Sequence, residues 1–494
     1  MRTGAFPGVF VCVAVCSREG PGRLAVSKRT RYGRVILGAL LVCATLAAED
    51  APRQKLDQIY QSAVSDFNAG RFPEAAGQLE TVLPYAQKSF EVHELLGMTY
   101  ASMNQNAKAE EHLKLAVQLN PGSAAARTNF GTLLLHSGQA ALAGEQFRAA
   151  LKLEPQSYDA NHNLAEFYIQ SGKVADAQPL LETAQQIQPD SYDNGYDLAM
   201  ADFLLGRLED ARNVATRVAQ RQNTGEVHNL LGQIDEKDGK FVDAVNEYEA
   251  AVHLDPSEDN FFDWASEMLL HRTYDPAIDI FQRATQKYPK SARLYIGLGL
   301  ALSARGKYDD AVKALLAAAD LNPSDPRCYV FLSKAYDSSP TQANEVTDRF
   351  RRYAELKPAD ARAQYYYAIS LWKATRTQGS VADLQQIEAL LKKAIALDDT
   401  LAEAHVQLGD LYSDQHEWDK SIPQYERALA LNPNLSDAHY RLGTDYVHVG
   451  QKDRAQQEFA VYQKLRSEHL AELDKERAEV KQFVYSEKGE ADKP

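Results

Sequence analysis

The chain has 494 residues, 45% hydrophobic and 25% charged, which is the balance of a soluble folded protein, and a formal charge of −14. That charge is uneven: residues 1–48 hold seven Lys/Arg against one acid, Glu19, leaving 47 basic and 67 acidic side chains in the rest. Phosphate backbones and acidic membranes need clustered cations, so neither nucleic acid nor a membrane surface is an expected partner of the body. Of the four cysteines only Cys328 lies beyond residue 48, which excludes a disulfide framework there; it reads as a small apolar filler.

In chain order, the first feature is an address. The basic stretch "KRTRYGR" (28–34) precedes fourteen uncharged residues, "VILGALLVCATLAA" (35–48), before "EDAPRQ" turns polar. A basic region, a short apolar run and small residues at the break predict a secretory signal inside an N-terminal extension spanning 1–48, cleaved near Ala47 or Ala48. Fourteen residues fall short of the roughly 20 that cross a bilayer as a helix. The expectation is an exported protein, periplasmic or secreted, that meets a membrane only through this signal. Residues 1–25 fit the plan badly, and a start near Val26 gives a more usual length. Lipid attachment at Cys43 in "LLVC", an uncleaved anchor and an organelle transit peptide stay open as alternatives. Residues 49–55 read as a linker.

The body, 56–466, is periodic. Prolines that end apolar helical stretches fall at 121, 155, 189, 256, 289, 323, 358 and 433, separated by 34, 34, 67, 33, 34, 35 and 75 residues. A small residue recurs 24 before the proline (Gly97, Gly131, Ala165, Gly232, Ala265, Gly299, Gly409) and an alanine 12 before it. A bulky residue follows that alanine by four, as in Leu113, Phe147, Leu181, Tyr248, Phe281 and Leu315. Two helices that cross closely need small residues where backbones meet and large ones beside them. Gly or Asn between them, as in "HSGQA" (136–140) and "MNQNA" (103–107), predicts the turn, and the proline closes the second helix.

These segments resemble tetratricopeptide repeats, helix–turn–helix units of about 34 residues with a W-x2-L-G-x2-Y…A-x3-F…A…P pattern. "NHNLAEFYIQSGKVADAQPLLETAQQIQP" (161–189) and "HNLLGQIDEKDGKFVDAVNEYEAAVHLDP" (228–256) carry it well. The resemblance implies an all-α, right-handed superhelical solenoid of about twelve hairpins. Three units depart from it: 192–224 lacks its proline, 326–359 has "SSPTQANEV" (338–346) for a glycine turn, and 360–401 holds an insertion around "TRTQGSVADLQ" (375–385). That insertion is expected to be a surface loop, or to loosen packing and bend the stack there. Residues 467–485 look like a capping helix and 486–494 like a disordered tail.

Chemistry is absent from the pattern. The GK dipeptides at 172–173, 239–240 and 306–307 lack the earlier glycine of a phosphate loop and sit at repeat turns. "HELLG" (93–97) has no second histidine for zinc, and "DSYDNG" (190–195) puts Tyr192 where calcium wants oxygen. His93, His228, His405 and His439 share the fourth place of their units and read as packing substitutes for an aromatic. Repeats leave no room for a catalytic domain, so no enzyme, cofactor or metal is expected.

What the resemblance implies instead is a groove lined by the first helix of each hairpin, taking proteins or peptides. At its sixth position stand Asn129, Asn163 and Asp197, spaced 34 and 34, which is similar to the asparagine ladder in the repeats of O-linked N-acetylglucosamine transferases. Asparagines in such a row can bond a peptide backbone without reading its sequence. Leu95 and Leu230 end the row on either side, and His162 takes the place where a lysine clamps acidic tails in other members. Charge favours neutral to basic segments. The expected role is a non-catalytic scaffold; the alternatives are an adaptor subunit of a separate enzyme, such as a glycosyltransferase, and self-association through the ends.

Overall fold

The computed structural model describes residues 50–339, 341–378 and 384–468. The N-terminal extension, the tail and all but the first residues of the expected capping helix lie outside them. Among the described residues the structure is all helix and turn, without strands, and no helix is long and apolar enough to cross a membrane. The chain divides into two compact units, the first ending at His271 and the second beginning at Arg272.

In the first unit the helices are α1 (Asp50–Asn68), α2 (Phe72–Val82), α3 (Phe90–Ser102), α4 (Asn106–Leu119), α5 (Ala124–His136), α6 (Ala140–Leu153), α7 (Tyr158–Gln170), α8 (Val174–Ile187), α9 (Tyr192–Leu204), α10 (Leu208–Arg221), α11 (Gly225–Lys237), α12 (Phe241–Leu254) and α13 (Glu258–Leu270). The second unit holds α14 (Tyr274–Lys287), α15 (Ala292–Arg305), α16 (Tyr308–Leu321), α17 (Pro326–Ser338), α18 (Ala343–Leu356), α19 (Ala361–Gln378), α20 (Leu384–Leu397), α21 (Ala402–Asp414), α22 (Trp418–Leu431) and α23 (Ser436–His448), then a helix over 452–468. Odd-numbered helices pack against the even-numbered helix that follows, and odd helices of successive hairpins also touch one another. Each unit is therefore two layers, one of first helices and one of second helices.

The register of small and large residues explains the close crossing. A Cβ added at Gly131 would lie 2.7 Å from the Phe147 ring, and one at Gly409 would lie 2.8 Å from the Tyr425 ring. Phe147 and Tyr425 are themselves buried, with 1% and 0% of their surface exposed, so neither ring has room to withdraw. Gly409→Leu is therefore expected to cost about 1–3 kcal/mol by overpacking, read as a lower urea midpoint. Gly138→Ala, at an open turn, should cost less, and equal losses at the two sites would refute the crossing argument.

Two local devices set the ends of the helices. First helices begin at a side-chain cap: Ser89, Ser123, Ser157, Ser191, Thr224, Ser257, Ser291 and Asp325 each accept an amide of the first turn. Second helices such as α4, α6, α8 and α10 start without one, directly after a tight turn. In that turn one residue takes the left-handed conformation. It is glycine at 138, 172, 206, 239, 306 and 450, and Asn104, Arg272, Gln342 or His416 elsewhere. Gln342 supplies the turn in the segment that lacks glycine.

The insertion at 375–385 is not wholly a loop. Its first residues extend α19 to 18 residues against 13 for α17, and 379–383 lie outside the described residues. Packing beside it is tight: Trp372, Ile387 and Leu391 form one buried cluster with Leu408, Leu411 and Tyr412 of the next hairpin. The division between compact units accordingly falls a hundred residues earlier, at His271.

Candidate functional site

The free face of the first-helix layer is the one surface of the first unit that packing leaves open along its length. On α7 it consists of Asp159, Asn163, Glu166 and Gln170, recurring every three or four residues; Asp193 and Asp197 continue it on α9. From α3 to α13 the first helices carry fourteen acids and two bases, Arg127 and Lys237. The second helices from α4 to α12 carry ten acids and seven bases. Charge is thus sorted by layer, and the open face is the anionic one.

Burial sharpens this. Asp159, Glu166, Asp193 and Asp197 have no lysine or arginine within ion-pair distance among the described residues; the basic side chain acting on Asp197 is His162. Asp197 is half-buried, and desolvation, relieved in part by His162 and reinforced by Glu166, Asp193 and Glu226, pushes its carboxyl up to about 7. Glu94 is pushed up to about 7 as well, by desolvation first, against a hydrogen bond from Asn129 and with repulsion from Glu91. Tyrosines sit between the acids: Tyr158 OH pairs with Ser191 Oγ at 2.7 Å and Tyr192 OH with Thr224 Oγ1 at 2.7 Å.

The sequence-predicted residues all reach this face, but not as an idle row of amides. Asn129 Nδ2 donates to Glu94 Oε1 at 3.1 Å and touches Met98 Sδ at 3.4 Å. Asn163 Nδ2 donates to the Asp159 carbonyl at 2.7 Å, and its Oδ1 lies 3.5 Å from Thr132 Oγ1. His162 Nδ1 lies 3.2 Å from Asn194 Oδ1, its ring stacked on Tyr158 at 5.4 Å. A peptide backbone must therefore exchange these bonds rather than fill empty ones.

The recurrent histidines have a role that spacing alone did not reveal. Nδ1 of His93, His228, His405 and His439 meets the side chain 19 residues later on the paired helix: His112 (2.9 Å), Glu247 (2.5 Å), Gln424 (2.8 Å) and Glu458 (2.5 Å). Nε2 of His93, His405 and His439 meets the carbonyl six residues earlier. They tie the two helices of a hairpin together. Cys328 is fully buried, donates to the Asp325 carbonyl at 3.0 Å, and its thiol is pushed up to about 12 by burial. No group of three or more His, Cys, Asp or Glu among the described residues could hold a metal ion.

Tetratricopeptide repeat family models match residues 60–124, 134–184, 170–234, 268–335 and 409–447, together more than half of the chain. The chain belongs to the tetratricopeptide repeat family. In this tetratricopeptide repeat protein the odd-numbered helices are the first helices of the repeats, so the anionic face is the wall along which members of the family line up their first helices. Solved structures similar to it include the C-terminal part of a repeat-containing protein from Cytophaga hutchinsonii (17% identity, 49% of this chain and 96% of that one, TM-score 0.41). Others are PilF of Pseudomonas aeruginosa (17%, 44% and 98%, TM-score 0.40) and the Cut9–Hcn1 heterotetramer of the APC/C (14%, 84% and 95%, TM-score 0.36). A search of curated proteins finds no match.

Proposed function

We propose that this tetratricopeptide repeat protein is an exported scaffold without catalysis of its own, and that the first-helix wall of its first unit seats an extended neutral-to-basic segment of a partner. The observation that carries the reading is the row of carboxylates, Asp159, Glu166, Asp193 and Asp197, that lack a lysine or arginine partner. Holding like charges together on a partly desolvated face is unfavourable in the free protein, and a cationic side chain removes that cost. Asn129, Asn163 and His162 beside them supply donors and acceptors for a backbone. Export is supported by the basic and apolar run of residues 28–48, and a leader retained on the secreted or periplasmic protein would count against it.

The test is capture by the mature chain. Partners recovered by wild type should be lost, or held about tenfold more weakly, with Asn129→Ala/Asn163→Ala/Asp197→Asn combined. Unchanged capture rejects the wall as the docking surface. Co-purification of a catalytic chain, such as a glycosyltransferase, would redirect the reading to an enzyme's adaptor subunit.

A further inference from the structure

The second unit reverses the sign of the first. At the second residue of the first helices the chain places Glu91 (α3), Asp159 (α7), Asp193 (α9), Glu226 (α11) and Asp259 (α13), as the positive end of a helix dipole favours. The next three, Arg293 (α15), Arg327 (α17) and Arg362 (α19), are arginines set against that dipole, and Glu403 (α21) and Asp437 (α23) restore the acid. The reversal extends along whole helices: α15, α17 and α19 hold seven bases and one acid, Asp337, whereas the interleaved α16, α18 and α20 hold six bases and seven acids.

The open face of these helices is also aromatic. Val330, Phe331, Tyr365 and Tyr366 are half-buried on it, between the exposed cations Arg327, Lys334 and Arg362. Arg327 is spent locally on its own cap, with Nη2 2.7 Å from Asp325 Oδ2, and Lys373 pairs with Asp337. Lys334 and Arg362 make no ion pair among the described residues. The acids that border the face are Asp337, Asp360, Glu403 and Asp410, and of these Asp337 is already neutralised by Lys373 while Asp410 accepts from Tyr425 OH at 2.6 Å.

We infer that α15, α17 and α19 form a second docking face, independent of the wall in the first unit, that seats an extended acidic segment of a partner protein. The charge is complementary, the half-buried rings offer apolar contact between charges, and arginine at a helix start has no role in helix stability that would account for it three times running. A phosphodiester strand is the weaker fit, because two unpaired cations bordered by Glu403 and Asp360 do not make the dense positive track such a strand needs.

The experiment uses the full chain and three fluorescein-labelled, C-terminally amidated dodecapeptides, Glu-Ser, Gln-Ser and Lys-Ser alternating, followed by polarisation at 50 and 250 mM NaCl. The Glu-Ser probe should bind at least tenfold more tightly than Gln-Ser at 50 mM and lose most of that advantage at 250 mM. Lys334→Glu/Arg362→Glu, both exposed positions, should abolish this binding by tenfold or more while leaving Lys-Ser binding and the far-UV spectrum unchanged. Equal binding of Glu-Ser and Gln-Ser overturns the inference, as does indifference to the double reversal. Tighter binding of a twelve-nucleotide oligothymidylate than of Glu-Ser overturns it in favour of nucleic acid. Light scattering that shows a dimer dissolved by the double reversal overturns it in favour of a second copy. Loss of Lys-Ser binding alone would count against the first-unit wall and leave this face standing.

Discussion

Arg212→Met is expected to destabilise the first unit by about 3 kcal/mol, near the low end of what breaking a buried ion pair costs. Asp235, on α11, is fully buried, and the Arg212 guanidinium of α10 is its ion-pair partner, with Arg212 Nη2 also 3.8 Å from Asp243. Methionine keeps the apolar stem and the volume but strands the carboxylate away from water, where its desolvation is uncompensated. Arg212 is itself about one-third exposed, 31%, which is why the lower figure is expected. Because each repeat contacts mainly its neighbours, the loss should appear as an early urea transition and as faster amide exchange across 208–237, with the second unit unchanged. Arg212→Met/Asp235→Leu should recover most of the loss. A single mutant within about 1 kcal/mol of wild type would show that the pair contributes no net stability.

This pair leaves no mark in the sequence, for a physical reason. Gly131 facing Phe147, or Gly409 facing Tyr425, was legible because a backbone crossing tolerates so few residue types that the same choice returns every repeat. The turn at Gln342 was legible only as a departure, since several residue types can be forced into the left-handed conformation at modest cost. Asp235 and Arg212 belong to different hairpins and do not recur as a pair, so no periodic signal marks them. The capping serines do recur, at Ser89, Ser123, Ser157 and Ser191, and a search for Ser just before each helical run would have found them. At the site, the places of Asn129, Asn163, Asp197 and His162 followed from the repeat register. Their existing hydrogen bonds did not, because Asn129 meets Glu94 on the preceding first helix only through the packing of one repeat on the next. The basic face of the second unit was hidden by averaging: a total charge of −14 says nothing about which helices hold which sign.

Binding of a lysine-bearing segment to the first-unit wall should strengthen as pH rises from 6 to 8, by up to about tenfold for each of the two raised carboxyls. Desolvation is the leading cause for both, and it holds Glu94 and Asp197 near 7, so at pH 6 the free wall keeps most of their protons. A bound ammonium favours the ionised form, so binding releases protons and gains affinity where the free groups would otherwise be neutral. The free protein's stability runs the other way. Each carboxyl binds its proton more tightly folded than unfolded, so the penalty is absent below about pH 4, grows as pH rises from there to about 7, and is constant above. Asp197→Asn should therefore raise stability at pH 8 by on the order of 2 kcal/mol, leave it unchanged at pH 4, and flatten the pH dependence of Lys-Ser binding. Glu94→Gln should do the same while keeping an acceptor for Asn129. Isothermal titration in two buffers of different ionisation enthalpy measures the proton release directly. Zero release at pH 7, with affinity flat from 6 to 8, would mean that the cations of the partner do not reach Asp197 or Glu94, and that the wall holds its guest through the backbone alone.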